Sequence, residues 1–172
     1  MPEAVIVSAA RSPIGRANKG SLKDLRPDDL TAFIVKTALD KIPALDPNTV
    51  DDLYLGCGLP GGESGNNMAK VVNTLNDMDL VPGATVTRYC ASSVQSTRMA
   101  FHAIKAGEGD IFISAGVEMV SRFIKGTSDH WPDTKNPLFE AAAAKTAEYA
   151  EGGQAWHDPR EDGLLPDIYL AM

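Results

Sequence analysis

Apolar and polar positions fall in short blocks along this chain, and the period of each block predicts an element. Residues 4–10, AVIVSAA, are a continuous apolar run bounded by Arg11, Ser12 and Pro13, the pattern of a strand buried on both faces. A loop rich in Gly, Pro and Lys follows, RSPIGRANKGSLKDLRP. From Asp28 onward Leu30, Phe33, Ile34 and Ala38 recur at helical spacing; Asp28 and Asp29 stand at the amino end, where the helix dipole favours acids, and Pro43 closes the segment. DDLYLGCGLP (51–60) reads as a second strand running into glycines, and NNMAKVVNTLNDM (66–78) as a second helix. ATVTRY, from Ala84 to Tyr89, is β-branched and alternating, a third strand. A third helix runs from about Cys90 to Ala106, stopped by Gly107 and Gly109, and DIFISAG (110–116) is a fourth strand.

Strands alternating with helices across short connections imply an α/β fold of right-handed β-α-β units, with a mostly parallel sheet and helices on both faces. Functional groups in such sheets gather outside the carboxyl ends of the strands. Cys90 occupies such an end.

With 172 residues, 44% of them hydrophobic, the chain suffices for one domain with a genuine core, or one domain plus an appendage. It has no run of eighteen apolar residues. The opening MPEAVIVSAARSP lacks the basic start and long apolar stretch of a signal peptide. The expectation is a soluble, cytoplasmic protein with no membrane partner. The formal charge of −7, without any cluster of Lys and Arg, argues against a nucleic-acid surface. That charge is concentrated: residues 1–128 hold 14 acids and 13 bases, residues 129–172 hold 9 acids and 3 bases. The acidic tail also carries Pro132, Pro137, Pro159 and Pro166, and reads as an irregular, largely solvated insertion or the start of another subdomain.

The two cysteines make neither a disulfide framework nor a zinc pattern, so a structural metal is not expected. Cys90 lies where a strand passes into a helix, and the unpaired N–H groups and partial positive charge of a helix start stabilise a thiolate. The competing reading is a small buried residue. Cys57, in LGCGLPGG, also ends a strand, but glycines mark a turn there and no helix opens on it, so it reads as structural or pocket-adjacent. GLPGGESG matches no phosphate-binding fingerprint. Ser92, Ser96, Ala100 and Ala103 form one stripe of small residues along the third helix, a surface for close approach by another element. His102, His130 and His157 are scattered, and none is placed by spacing to serve Cys90 as a base.

VTRYCASSVQS, preceded by VIVSAARSPIGR and GESGNNMAKVV and followed by AGEGDIFISAGVEMVSR, resembles the amino-terminal half of the thiolases, the acetyl-CoA C-acyltransferases. The resemblance runs in order through nearly the whole chain, and EDGLLPDIYLAM is similar to the thiolase loop region. It implies a thiolase-like α/β domain over residues 1–118, lacking the last strand of its sheet, with the start of an irregular loop subdomain over 119–172 and the carboxy-terminal domain absent. It implies that Cys90 is the acyl-accepting nucleophile, that Leu164 and Met172 line the acyl pocket, and that CoA and acyl-CoA are substrates with no further cofactor. The thiolate would attack the keto carbonyl of a 3-ketoacyl-CoA, acetyl-CoA would leave, and a second CoA thiol would take the acyl group from the cysteine; the reverse condenses two acyl-CoA molecules. It also implies a homo-oligomer paired through the strand from Ala84 to Tyr89, and a third helix packed centrally against its counterpart in the second half.

Departures from the family pattern are Ser93-Val94 at the end of the CASSV run, Thr97 where an aliphatic residue is common, and Ala171 where several short-chain enzymes have histidine. The second half of a thiolase carries the activating histidine, the second cysteine and an asparagine, and none of these motifs occurs here, so the chain alone is expected to be an inactive piece. A thiolase-fold carrier or interaction protein without turnover and a ketoacyl-synthase-like condensing enzyme are the alternative readings; GVEMVSR fits thiolase better.

Overall fold

The computed structural model describes residues 3–123, 132–155 and 157–171. Three strands, β1 (Asp52–Gly56), β2 (Gly83–Val86) and β3 (Phe112–Gly116), form a parallel sheet in the order β2-β1-β3. Leu53 stands opposite Gly83 on one side and Ile113 on the other, and Gly56 opposite Val86 and Gly116. Helix α1 (Pro27–Leu39) precedes β1, while α2 (Met68–Leu75) and α3 (Ser92–Ala106) are the crossovers to β2 and β3. The alternation along β1 sorts its faces. Leu53 and Leu55, fully buried, meet Val35 of α1 and Met68, Ala69 and Val72 of α2. Removing each such side chain from water stabilises the fold by roughly 1.5–3 kcal/mol. The opposite face, at Gly56, receives α3.

The small-residue stripe is what α3 turns to this sheet. Ser92, Ser96, Ala100 and Ala103 are all buried, and the Ser96 hydroxyl donates to Ala115 O at 3.1 Å. The close approach expected of this stripe is made by the chain's own sheet. The glycines explain the close packing: a Cβ at Gly56 would stand 2.6 Å from Ser92 O and Ser93 N, so helix and sheet meet backbone to backbone.

The first predicted strand is absent. Residues 4–10 are extended but outside the sheet, with Val5, Ile6 and Val7 68%, 85% and 75% exposed. The Ser8 hydroxyl donates to Ala38 O at 2.8 Å and Lys41 Nζ donates to Ala9 O at 2.6 Å, which holds the segment beside the end of α1. Strand pairing requires a neighbour at about 4.8 Å. Here a groove of about 1110 Å³, lined by Val5, Val7, Ile34, Phe101, Ile113 and Ala115 among others, separates the segment from the free edge of β3. The apolar run in the sequence is real, but no strand among the described residues pairs with it.

Boundaries shift by small amounts with local causes. Pro27 takes the first position of α1, with Asp28 and Asp29 in its first turn. The helix stops at Leu39, ahead of Pro43, because Ile42 N–H turns back onto Leu39 O at 2.8 Å. Gly107, in the left-handed region at φ 78°, ends α3 as the sequence indicated.

The acidic tail is more regular than its prolines suggested. Glu140–Glu151 forms helix α4, and Ile168–Ala171 a short α5. The first of these is EAAAAKTAEYAE, rich in the best helix former, and Pro137 opens the turn before it. Phe139 and Ile168 bury themselves against Val71 of α2, with the Phe139 and Tyr169 rings edge to face at 5.6 Å. A buried charge network ties the tail to the domain. Arg26 pairs bidentately with Asp28 (3.0 and 3.1 Å), Arg122 with Glu63 (2.5 and 2.7 Å), and Arg122 also reaches Asp133 at 2.8 Å. Asn136 Nδ2 donates to Asp28 at 2.8 Å and to Asp29 at 3.0 Å.

Candidate active site

Five residues carry the chain from the carboxyl end of β2 into α3: Thr87, Arg88, Tyr89, Cys90 and Ala91. Tyr89 has φ 48°, a left-handed conformation uncommon for a residue with a side chain, which costs on the order of 1–3 kcal/mol. Compensating contacts surround it. Ala91 N–H donates to Arg88 O and Ser92 N–H to Tyr89 O, both at 3.0 Å. The Ser92 hydroxyl donates to Tyr89 O at 2.6 Å and accepts from Arg88 N–H at 2.8 Å. From below, Gly58 leaves no room: a Cβ there would lie 3.0 Å from Tyr89 O. Glu118 holds Gly58, accepting its N–H at 2.7 Å, so the loops after β1, β2 and β3 are joined at one end of the sheet.

Cys90 is a free thiol and exposed, at the apex of this turn. The helix starts two residues later than the sequence suggested, at Ser92, with Ala91 as its cap and no side chain satisfying the first N–H groups. The Ser92 N–H is taken by Tyr89 O, and the N–H groups that follow it in the first turn have no capping side chain. Cys57 is the opposite case. It is 2% exposed, packed among Leu55, Met68 and Val72, and its Sγ lies 3.8 Å from Glu118 Oε1. Burial, and then the Glu118 carboxylate, push its thiol up to about 11, so it stays protonated at neutral pH. One thiol is presented and the other stored.

Other candidates lie elsewhere. The turn before Leu164 is fixed by Arg160, which pairs with Asp79 at 2.7 Å and Asp77 at 3.0 Å in the loop entering β2, whereas Cys90 follows the exit of that strand. Leu164 is half-buried, and Met172 and His130 lie outside the described residues. His102 is exposed on α3. The ring of His157 bonds to Asp162 at 3.0 Å and Glu161 at 3.1 Å on the tail, and hydrogen bonds to these carboxylates raise its pKa. Among the described residues no group of His, Cys, Asp and Glu is arranged to hold a metal ion. Sequence reading took Ser92 only as part of a packing stripe and passed over Glu118. Neither the strained Tyr89 nor the closing of the turn by Ser92 has a sequence signal, since tyrosine carries no preference for a left-handed turn.

This parallel α/β domain presents one exposed cysteine on a strained strand-to-helix turn, and comparison with known proteins gives its family. Residues 4–145 match the family described as Thiolase, N-terminal domain, and the chain belongs to that family. It is 46% identical over 123 residues to a 3-ketoacyl-CoA thiolase of Bacillus subtilis, covering 71% of this chain and 31% of that one. A beta-ketoadipyl-CoA thiolase of Pseudomonas knackmussii is 41% identical over 74% of this chain and 32% of its own length. A 3-ketoacyl-CoA thiolase of Aeromonas hydrophila is 37% identical over 88% and 38%. The crystal structure of the Bacillus anthracis acetyl-CoA acetyltransferase superimposes with a TM-score of 0.65 at 31% identity, over 70% of this chain and 30% of that one. The chain thus spans about a third of the length of these relatives.

Proposed function

We propose that this chain is the nucleophile-bearing portion of a thiolase-type acyltransferase, with Cys90 as the acyl carrier. The exposed thiol at the apex of the turn between β2 and α3 carries this reading, since the only other cysteine is buried and protonated. The sulfur attacks the keto carbonyl of a 3-ketoacyl-CoA and the bond between the α and β carbons breaks. Acetyl-CoA leaves with its α-carbon reprotonated, and the thiol of a second CoA, giving up its proton, takes the acyl group from Cys90. CoA thioesters are the substrates and no further cofactor is required. Leu164 and Met172 are proposed as acyl-pocket residues on the family resemblance alone.

The groove between residues 4–10 and the edge of β3 supports an incomplete sheet, whose remaining strand would come from the two thirds of a thiolase not spanned by this chain. Self-association through the strand from Ala84 to Tyr89 is proposed with a restriction. β2 is an edge strand, but Asn67 already pairs with its outer side, donating to Gly83 O at 2.9 Å and accepting from Thr85 N–H at 3.1 Å. Thr87 is where a second copy would have to pair. A cytoplasmic location belongs with this reading, and no described helix is long and apolar enough to cross a membrane.

The test is single-turnover trapping of the protein encoded by the complete reading frame with acetoacetyl-CoA, followed by peptide mapping. An acetyl group on the Cys90 peptide is expected, lost in Cys90→Ala. Acetyl on any other residue, or none while thiolysis proceeds, overturns the assignment.

A further inference from the structure

We infer that Ser92 is the positioning residue for Cys90, its hydroxyl closing the turn that presents the thiol; the inference rests on the reading of Cys90 as nucleophile. A serine hydroxyl has one proton to donate and two lone pairs to accept with. Here the proton goes to Tyr89 O at 2.6 Å and a lone pair takes Arg88 N–H at 2.8 Å. Both partners precede Cys90 and Ser92 follows it, so the two bonds make a ring with the cysteine inside. Ser92 itself has little freedom to move. It is 3% exposed, and its backbone rests on Gly56, where a Cβ would stand 2.6 Å from Ser92 O.

The hydroxyl therefore refers the cysteine to the sheet. Without it, Tyr89 O keeps only the Ser92 N–H at 3.0 Å and Arg88 N–H loses its partner. The left-handed Tyr89 then relaxes at little cost, and Cys90 samples positions away from the start of α3. Ser96 provides the internal comparison. It is also buried on α3 and also hydrogen-bonded through its hydroxyl, but to Ser93 O, Ser114 and Ala115 O rather than to the turn.

The experiment measures Cys90 alkylation by limiting iodoacetamide in the folded 172-residue chain, relative to the denatured chain, together with exchange of the Arg88 amide hydrogen. Ser92→Thr and Ser92→Val are matched in shape and differ in the hydroxyl. Thr is expected to keep the parental labelling ratio, and Val and Ser92→Ala, which lose two hydrogen bonds, to lower it by at least about fivefold, the factor a single lost hydrogen bond carries. Arg88 exchange should quicken in the same two variants and not in Ser96→Ala. Equal labelling of the Thr and Val variants, or an equal loss in Ser96→Ala, overturns the inference. Because no acyl transfer is measured, its failure is separate from failure of the thiolase reading, which would appear as Cys90 remaining unacylated in the whole enzyme.

Discussion

Gly116 and Ser93 stand so close that a single carbon added to the glycine would overlap the serine hydroxyl oxygen. Gly116 is the register partner of Gly56, so two glycines side by side make the shallow floor on which α3 begins. Neither has a positive φ, and the requirement is for space alone.

Gly116→Ala is therefore expected to be destabilising by about 1–3 kcal/mol, the usual cost of overpacking, by lifting the first turn of α3 off the sheet. Cys90 labelling should fall with it, since the turn rides on that helix. The denaturant midpoint and the alkylation rate measure the two effects; a variant as stable as the parent would show that the helix start is not pinned there.

The two thiols should separate cleanly by reagent and by pH. In the folded chain iodoacetamide is expected to label Cys90, and Cys57 only after unfolding. The folded Cys57 thiol keeps its proton to about 11, while the unfolded one ionises near the ordinary value of 9.0, so on raising the pH the unfolded state releases its proton first. Stability is then unaffected below about pH 9 and declines as the pH climbs to 11, by at most about 3 kcal/mol. Urea melts across that range read the decline, and Cys57→Ala should make it shallower, leaving the part due to the raised tyrosines Tyr54, Tyr149 and Tyr169.

Much of this was legible in the sequence because it depends on short-range pattern. The alternation of strand and helix from residue 28 to 116, the Gly107 stop and the thiol between β2 and α3 follow from periodicity and turn chemistry. What was not legible depends on partners distant in sequence. Residues 4–10 have a strand's composition, yet pairing is a property of two segments, and no strand among the described residues pairs with theirs. The α3 stripe was correctly located, but only Gly56 and Gly116 show that it faces its own sheet. The tail was read from its prolines and charge; burial of Phe139 against Val71 and the pairing of Arg122 with Glu63, 59 residues apart, could not be inferred from either.

That pairing predicts how the tail detaches. Arg122→Met would leave the buried Glu63 carboxylate with Arg26 alone, at 3.5 Å, and free Asp133 from its closest cation. A loss of about 3–5 kcal/mol is expected, as for any buried ion pair broken on one side. Trypsin should then cut earlier at Lys135, which neighbours the Asn136 anchor. Adding Glu63→Met to the first change should restore part of the stability, because the uncompensated charge goes with it. If the double variant is no better than the single one, the network acts through shape rather than charge.

The 172-residue chain by itself is expected not to cleave acetoacetyl-CoA with CoA at a useful rate, even with Cys90 reactive. Thiolysis needs a base for the thiol, a second acid and base for the α-carbon and the CoA thiol, and donors for the developing oxyanion, each a separate contribution to the barrier. His102 is exposed on α3, and His157 is engaged with Asp162 and Glu161 on the tail, so the described histidines do not complete a dyad. The only other thiol is buried beside Glu118 and keeps its proton at neutral pH. On the proposed reading the turn would supply a nucleophile and its direction, and the remaining groups would come from elsewhere in a complete thiolase. The comparison is turnover by the purified chain, its Cys90→Ala variant and the protein from the complete reading frame. Turnover by the short chain close to that of the complete protein, abolished by Cys90→Ala, would refute the expectation and require a base within the 172 residues.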